Sequence, residues 1–241
     1  FAREIHILTA ESRLKSIARD FVNHYSDLWT SGKAMFVCLN KVTCVRMYNY
    51  VQKYWKEEIK QLKAKIKNVT QQQAQELERK LKWMQETEMA VVISQEQNEI
   101  QTFKKWDLDI KYHRTKMEKR KLDKEFKDSK NPLRVVFVCA MWLTGFDVKC
   151  LSCLYLDKPL KAHTLMQTIA RANRVAEGKS NGLIVDYIGI VKALRKALAD
   201  YTANVGGNGG TDPTVDKEKL IDRIIETIGK AKLFLAENDF D

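Results

Sequence analysis

Apolar residues along the chain follow two different rhythms. Short continuous runs at 34–39 (AMFVCL), 89–94 (MAVVIS), 134–139, 151–156 and 182–187 have the length of strands. Between them apolar residues recur every three or four positions, the spacing of a helix with one buried face. Five strand-length runs alternating with helical stretches predict an α/β fold, a mostly parallel sheet covered by helices on both faces.

The helical stretches carry their own punctuation. Thr9 is placed to cap a helix from about Ala10 to Thr30, in which Leu14, Ile17, Phe21 and Leu28 keep helical spacing and Gly32 lies just past the end. SGK (31–33) precedes a strand rather than following one and lacks the spacing of a phosphate loop, so it reads as a helix-to-strand turn. From about 43 to 88 the chain is highly charged. Leu62, Ile66 and Val69, then Leu77, Leu81 and Met84, mark apolar seams. Thr70 with Gln73 forms a capping box, which predicts two helices meeting near Asn68. Lys53, Lys56, Lys60, Lys63, Lys65 and Lys67 read as spread over several faces, which suits a solvated antiparallel hairpin better than a dedicated DNA arm. EIK (58–60) matches half of a nuclease motif, but that chemistry wants its residues on a strand, and this run is helical. Ser94 with Gln97 predicts another capped helix reaching about Trp106, and 113–128 a third charged helix ended by Asn131-Pro132. After Tyr201 the composition changes. Residues 204–213 (NVGGNGGTDP) read as a flexible linker, and Leu220, Ile221, Ile224, Ile225, Ile228 and Leu233 as a helix that either opens a C-terminal helical domain over 214–241 or packs back on the preceding domain.

Composition narrows the function. The 241 residues carry a net charge of +11, which favours a polyanionic partner such as nucleic acid. No apolar run approaches the length of a membrane span, and no secretory signal is visible. Five cysteines, with Cys38 and Cys139 inside strand-like runs, suit buried thiols in a reducing cytoplasm rather than a disulfide framework. CLSC (150–153) has no second pair at zinc spacing and reads as part of a strand, so no metal site is expected. The chain begins with Phe1, which suggests a fragment of a longer protein.

Two motifs carry chemistry. LTGFD (143–147) follows an apolar run, so Gly145 would sit in a tight turn at the carboxyl end of a strand and Asp147 would bring an acceptor able to hold a ribose hydroxyl. QTIARANR (167–174) follows the next strand on a helical segment. Gln167, Arg171 and Arg174 share one face there, with Leu165, Ile169 and Ala172 on the opposite stripe. Arginine keeps its charge, and its planar fork matches phosphate oxygens.

LTGFD, LYLDKPLKAHTLMQTIARANR and GLIVDYIG together closely resemble the second RecA-like motor domain of the restriction (R) subunit of type I restriction–modification enzymes, which are superfamily 2 helicases. LTGFD resembles motif V and QTIARANR motif VI, with Ala170 and Asn173 where the wider superfamily has glycines. The resemblance runs from about Thr9 to Tyr201 and implies a RecA-like domain over 1–203, carrying the charged helical insertion at about 43–88. It implies ATP and Mg2+ bound in a cleft shared with a first motor domain, which would hold the phosphate loop. Arg171 and Arg174 would reach the γ-phosphate, Gln167, Asp147 and Gly145 would meet the nucleotide, and Thr144 and Gly145 the DNA backbone. The expected partners are double-stranded DNA, a nuclease domain of the same parent chain, and methyltransferase and specificity subunits. Two other readings stay open: a different superfamily 2 DNA helicase, and a non-catalytic basic nucleic-acid-binding module. A third, a structural α/β scaffold, predicts no phenotype for either arginine.

Overall fold

Four of the five strands in the sheet are buried on both faces, as their apolar runs require, and the edge strand nearest the C-terminus is only half-buried. A computed structural model describes residues 2–143, 145–172, 182–190 and 192, the side chains of 2–4, 162, 163 and 171 excepted. The chain divides into two compact units, Phe1–Ile188 and Gly189–Asp241, and all the described strands belong to the first. The linker and C-terminal helix expected at 204–213 and 214–241 lie outside the described residues.

The chain opens with helices α1 (Ala2–Leu8) and α2 (Glu11–Asp27), followed by strand β1 (Lys33–Cys38). Helices α3 (Lys41–Ile66) and α4 (Gln71–Glu86) lead to β2 (Glu88–Val92). Three short helices, α5 (Glu99–Lys104), α6 (Ile110–Lys119) and α7 (Leu122–Lys127), lead to β3 (Leu133–Val138). Strand β4 (Leu151–Asp157), helix α8 (Ala162–Ala172) and β5 (Leu183–Asp186) complete the unit. All strand pairs are parallel, in the order β2-β3-β1-β4-β5. The predicted α/β class and all five strands are present.

Alternate strand residues serve two layers. Ala34, Phe36 and Cys38 of β1, Val135 and Phe137 of β3, Met89 and Val91 of β2, and Cys153 and Tyr155 of β4 form one core cluster with α2 and α3. Met35, Val37, Val136, Val138, Leu154 and Leu156 point the other way and are equally buried. Phe21 of α2 docks at the centre of the first layer, with ring centroids 4.7 Å from Tyr155 and 5.6 Å from Phe36. Gly32 makes the turn into β1: its φ is +124°, and an added Cβ would lie 2.9 Å from Ser152 Oγ.

Local boundaries depart from the sequence reading where side chains find better partners. Thr9 does not cap α2; its hydroxyl donates to Ile5 O at 2.8 Å, closing the end of α1, and Ala10 occupies the N-cap. Ser94 caps nothing. Helix α5 starts after Asn98, because Glu99 forms a two-point ion pair with Arg114 (both N···O distances 2.7 Å) while the same guanidinium donates to the carbonyls of Ile93 and Ser94. The helix expected over 113–128 breaks at Arg120, whose extended backbone lets the guanidinium reach Glu88 and Glu125 while Leu122 and Phe126 enter the core.

The charged stretch does form two helices, and the Thr70 hydroxyl donates to Gln73 Oε1 at 3.1 Å. The first half of α3 is a core helix, with Cys44, Val45, Met47, Val51 and Trp55 buried. Helix α4 buries only Met84 and is tied back where Trp55 Nε1 donates to Met84 O at 2.9 Å. The lysines are not spread over several faces. Lys53, Lys56, Lys60, Lys63 and Lys67 repeat at intervals of three and four and share one exposed stripe of α3 and its C-cap, and only Lys65 lies off it.

Candidate functional site

The segment after β3 combines buried anchors with exposed polar positions. Rings of Trp142 and Phe146 stack at 4.2 Å, and Phe126 of α7 stacks on Trp142 at 5.8 Å. Leu143, Phe146 and Val148 are buried, which leaves Gly145 and Asp147 at the surface between them. Gly145 adopts φ +70°, and a Cβ there would meet nothing within 4 Å. The glycine is therefore required by the left-handed backbone and not by crowding. Trp142 also adopts a positive φ, 68°, held by its ring contacts on both sides.

Helix α8 begins just beyond the carboxyl end of β4 and packs on β4 and β5. Its buried stripe is Leu165, Thr168 and Ala172, spaced i, i+3 and i+7. Ile169, expected on that stripe, is half-buried at its margin. The Thr168 hydroxyl donates to Thr164 O at 2.7 Å, which lets a polar residue sit inside the seam. Gln167 is half-buried, and position 171 follows it one turn later on the helix. Thr144, the Arg171 side chain and Arg174 lie outside the described residues.

Strands β3 and β4 flank β1 in the sheet, so the Gly145–Asp147 segment and α8 issue from either side of the central strand. The chain also reverses its direction of winding between β1 and β4, since α3 leads away toward β2 and α8 toward β5. Ligands of parallel α/β sheets bind at such a reversal, beyond the carboxyl ends of the strands. There Asn40 caps α3, its Oδ1 accepting from Thr43 N at 2.8 Å, and Lys158 Nζ donates to Cys139 O at 2.6 Å.

One pair at this edge escaped the sequence reading. Asp157, the last residue of β4, is buried and accepts from Arg13 Nη2 of α2 at 2.6 Å, and the same nitrogen donates to Tyr187 O at 3.1 Å. The second carboxylate oxygen, Oδ2, is buried without a partner. Burial raises the Asp157 pKa above its ordinary value, and Arg13 opposes the rise. The partners are 144 residues apart, so only an acidic residue closing an apolar run marked the position beforehand. Among the described residues no three His, Cys, Asp or Glu side chains converge as a metal site would need. No described helix is long and apolar enough to cross a membrane.

Comparison with known proteins identifies the family. The profile described as type I restriction enzyme subunit R domain 3 matches residues 30–189, which takes in both motifs. The type I restriction enzyme HindI endonuclease subunit of Haemophilus influenzae is 36% identical over 208 residues, 83% of this chain and 17% of that protein. A protein of Methanocaldococcus jannaschii ascribed to the MjaIXP endonuclease subunit of a type I enzyme is 35% identical over 223 residues, 91% of this chain and 18% of its own length. A solved fragment ascribed to an HsdR subunit of a type I enzyme from Vibrio vulnificus covers 75% of this chain and 29% of its own, at 15% identity and a TM-score of 0.45. The chain thus spans less than a fifth of the two curated relatives. It belongs to the family of domain 3 of type I restriction enzyme R subunits.

Proposed function

We propose that this chain is the second RecA-like motor domain of an ATP-dependent, DNA-translocating restriction subunit. The observation that carries the reading is the family match over 30–189, which spans LTGFD and the whole of QTIARANR. In this reading ATP and Mg2+ are held chiefly by a first motor domain, and this domain closes over the nucleotide. Arg171 and Arg174 neutralise the γ-phosphate, one of them stabilising transition-state charge, a role worth about 10³-fold or more in rate. Gln167 orients the nucleotide, and Asp147 accepts a hydrogen bond from the ribose or from the network linking ATP to DNA. Thr144 and Gly145 meet the DNA backbone, where an exposed main chain without a side chain permits close approach. The stacked rings of Phe126, Trp142 and Phe146 support this role, since they fix the segment that presents Gly145 and Asp147.

Closure and opening of the cleft would step the subunit along double-stranded DNA in the cytoplasm. Cleavage belongs to a nuclease domain of the same parent chain, and site recognition to methyltransferase and specificity subunits. The chain alone should therefore show negligible ATPase. The restriction subunit carrying this chain, reconstituted with methyltransferase and specificity subunits, should translocate on DNA with a target site only when ATP is supplied. Assembly without ATP-dependent movement would reject the motor reading. ATP-driven unwinding by the subunit, with no association with the other two, would favour a different superfamily 2 helicase.

A further inference from the structure

A groove of substantial volume lies away from both motifs, at the edge of the sheet beside β2. It encloses about 760 Å³ between α3 and α6, walled by Gln52, Glu88, Tyr112, Lys116, Lys119 and Arg120, of which Arg120 is ion-paired with Glu88. Tyr112, Thr115 and Lys119 are exposed at i, i+3 and i+7 on α6, so one face of that helix looks onto the groove. Lys116 Nζ donates to Met89 O at 2.8 Å and blocks the open edge of β2 against another strand.

The lysine stripe of α3 starts beside this groove, because Lys56 follows Gln52 of its wall one turn later on the same face. At 100° per residue, Lys53, Lys56, Lys60, Lys63 and Lys67 fall within an arc of about 80°, some 120° round the helix from the apolar seam of Trp55, Leu62 and Ile66. All five are exposed, and none belongs to the ion pairs formed among the described residues. Glu57 and Glu58 are the only carboxylates on this helix and lie outside the arc. Five like charges on one exposed face repel one another, so the stripe lowers its energy by meeting negative charge.

We infer that the lysine stripe of α3 and the adjoining α6 groove form a phosphate-backbone track for duplex DNA, separate from the motif segments. The inference deepens the motor reading and rests on it for the identity of the nucleic acid. Geometry favours this occupant. From Lys53 to Lys67 the stripe runs about 21 Å. Along the duplex axis each strand adds a phosphate every 3.4 Å or so, about six over that length, so there are enough phosphates within reach for all five lysines. Residue type agrees. Lysine is depleted in protein–protein interfaces, where arginine is enriched, whereas a flexible ammonium serves non-specific phosphate contact. A surface that must hold DNA while letting it move gains from such contacts, which carry no sequence information.

The test replaces the five stripe lysines by glutamine in the restriction subunit carrying this chain, assembled with its partner subunits. Affinity for duplex DNA is measured without nucleotide across a salt series, so the result stands apart from whether the subunit turns over ATP. Each phosphate neutralised contributes roughly 0.9 to the slope of log affinity against log salt. The variant should therefore lose about 4.5 from that slope and bind at least tenfold more weakly at low salt. Arginine at the same five positions should restore the slope, and the unfolding midpoint read alongside should stay within a few degrees. An unchanged slope with DNA binding intact overturns the inference. So does loss of a partner subunit from the assembly with the slope unchanged, which would assign the stripe to an acidic protein surface.

Discussion

At the scale of single residues, two kinds of requirement separate the glycines. Gly32 needs both its left-handed φ and the absence of a side chain, because Ser152 Oγ would lie 2.9 Å from a Cβ. Gly145 needs only the φ, with open space around it. Gly145→Ala should cost about 1 kcal/mol. Gly32→Ala should cost more, about 2–3 kcal/mol once the Ser152 contact is added. Chemical denaturation of the two variants would check the order. His113 supplies a residue-scale prediction in pH. It packs edge-on to Tyr48 at 4.7 Å with Nδ1 buried and unpaired. Burial, helped by Lys116 and Arg114 and opposed by Asp109, pushes its pKa down to about 4 from an ordinary 6.5. A depressed histidine contributes stability that is complete above the unfolded value and is lost as pH falls toward the folded one. Unfolding free energy should thus fall by about 3 kcal/mol between pH 6.5 and 4 on account of this group. In His113→Phe that part of the fall should be missing; an identical pH profile in the variant would refute the assignment.

At the scale of elements, the apolar runs marked out all five strands, because β1–β4 are buried on both faces and even half-buried β5 carries the apolar run Leu183–Val185. Helix ends were less legible. Ser94 and Gln97 formed a plausible cap, but the Glu99–Arg114 pair, 15 residues apart, decides where α5 starts. The break at Arg120 likewise depends on Glu88, a residue of β2. The lysine stripe was readable from its three-and-four spacing and was obscured by counting Lys65 with the rest. The Arg13–Asp157 pair, which joins α2 to the ends of β4 and β5, left almost no local trace. It also yields a prediction with a definite sign. Removing Arg13 strands a buried carboxylate, so Arg13→Ala should cost about 3 kcal/mol at neutral pH. With Asp157 then free to take a proton, the penalty should shrink toward pH 4. Denaturation at pH 7 and pH 4 would test this, and a penalty that grows on acidification would contradict it.

At the scale of the whole molecule, the winding of the sheet accounts for where the motifs stand. LTGFD follows β3, residues 167–172 of the second motif sit on the helix after β4, and these strands flank β1. Motifs placed this way lie beyond the carboxyl edge only because all five strands are parallel. Sequence patterning supplied the strands and the motifs, and the strand order supplied the relation between them. If the domain works as a motor, its two functions divide by surface. The motif segments would face the nucleotide, and the lysine stripe of α3 would hold the polyanion.

The most direct test is DNA-stimulated ATPase of the restriction subunit carrying this chain, with Arg171→Ala and Arg174→Ala made singly and both nucleotide and DNA saturating. The motor account predicts a loss of about 10³-fold or more in kcat for at least one variant, with DNA affinity retained. Turnover that survives both changes while DNA affinity falls would contradict it and leave a basic nucleic-acid-binding module in its place.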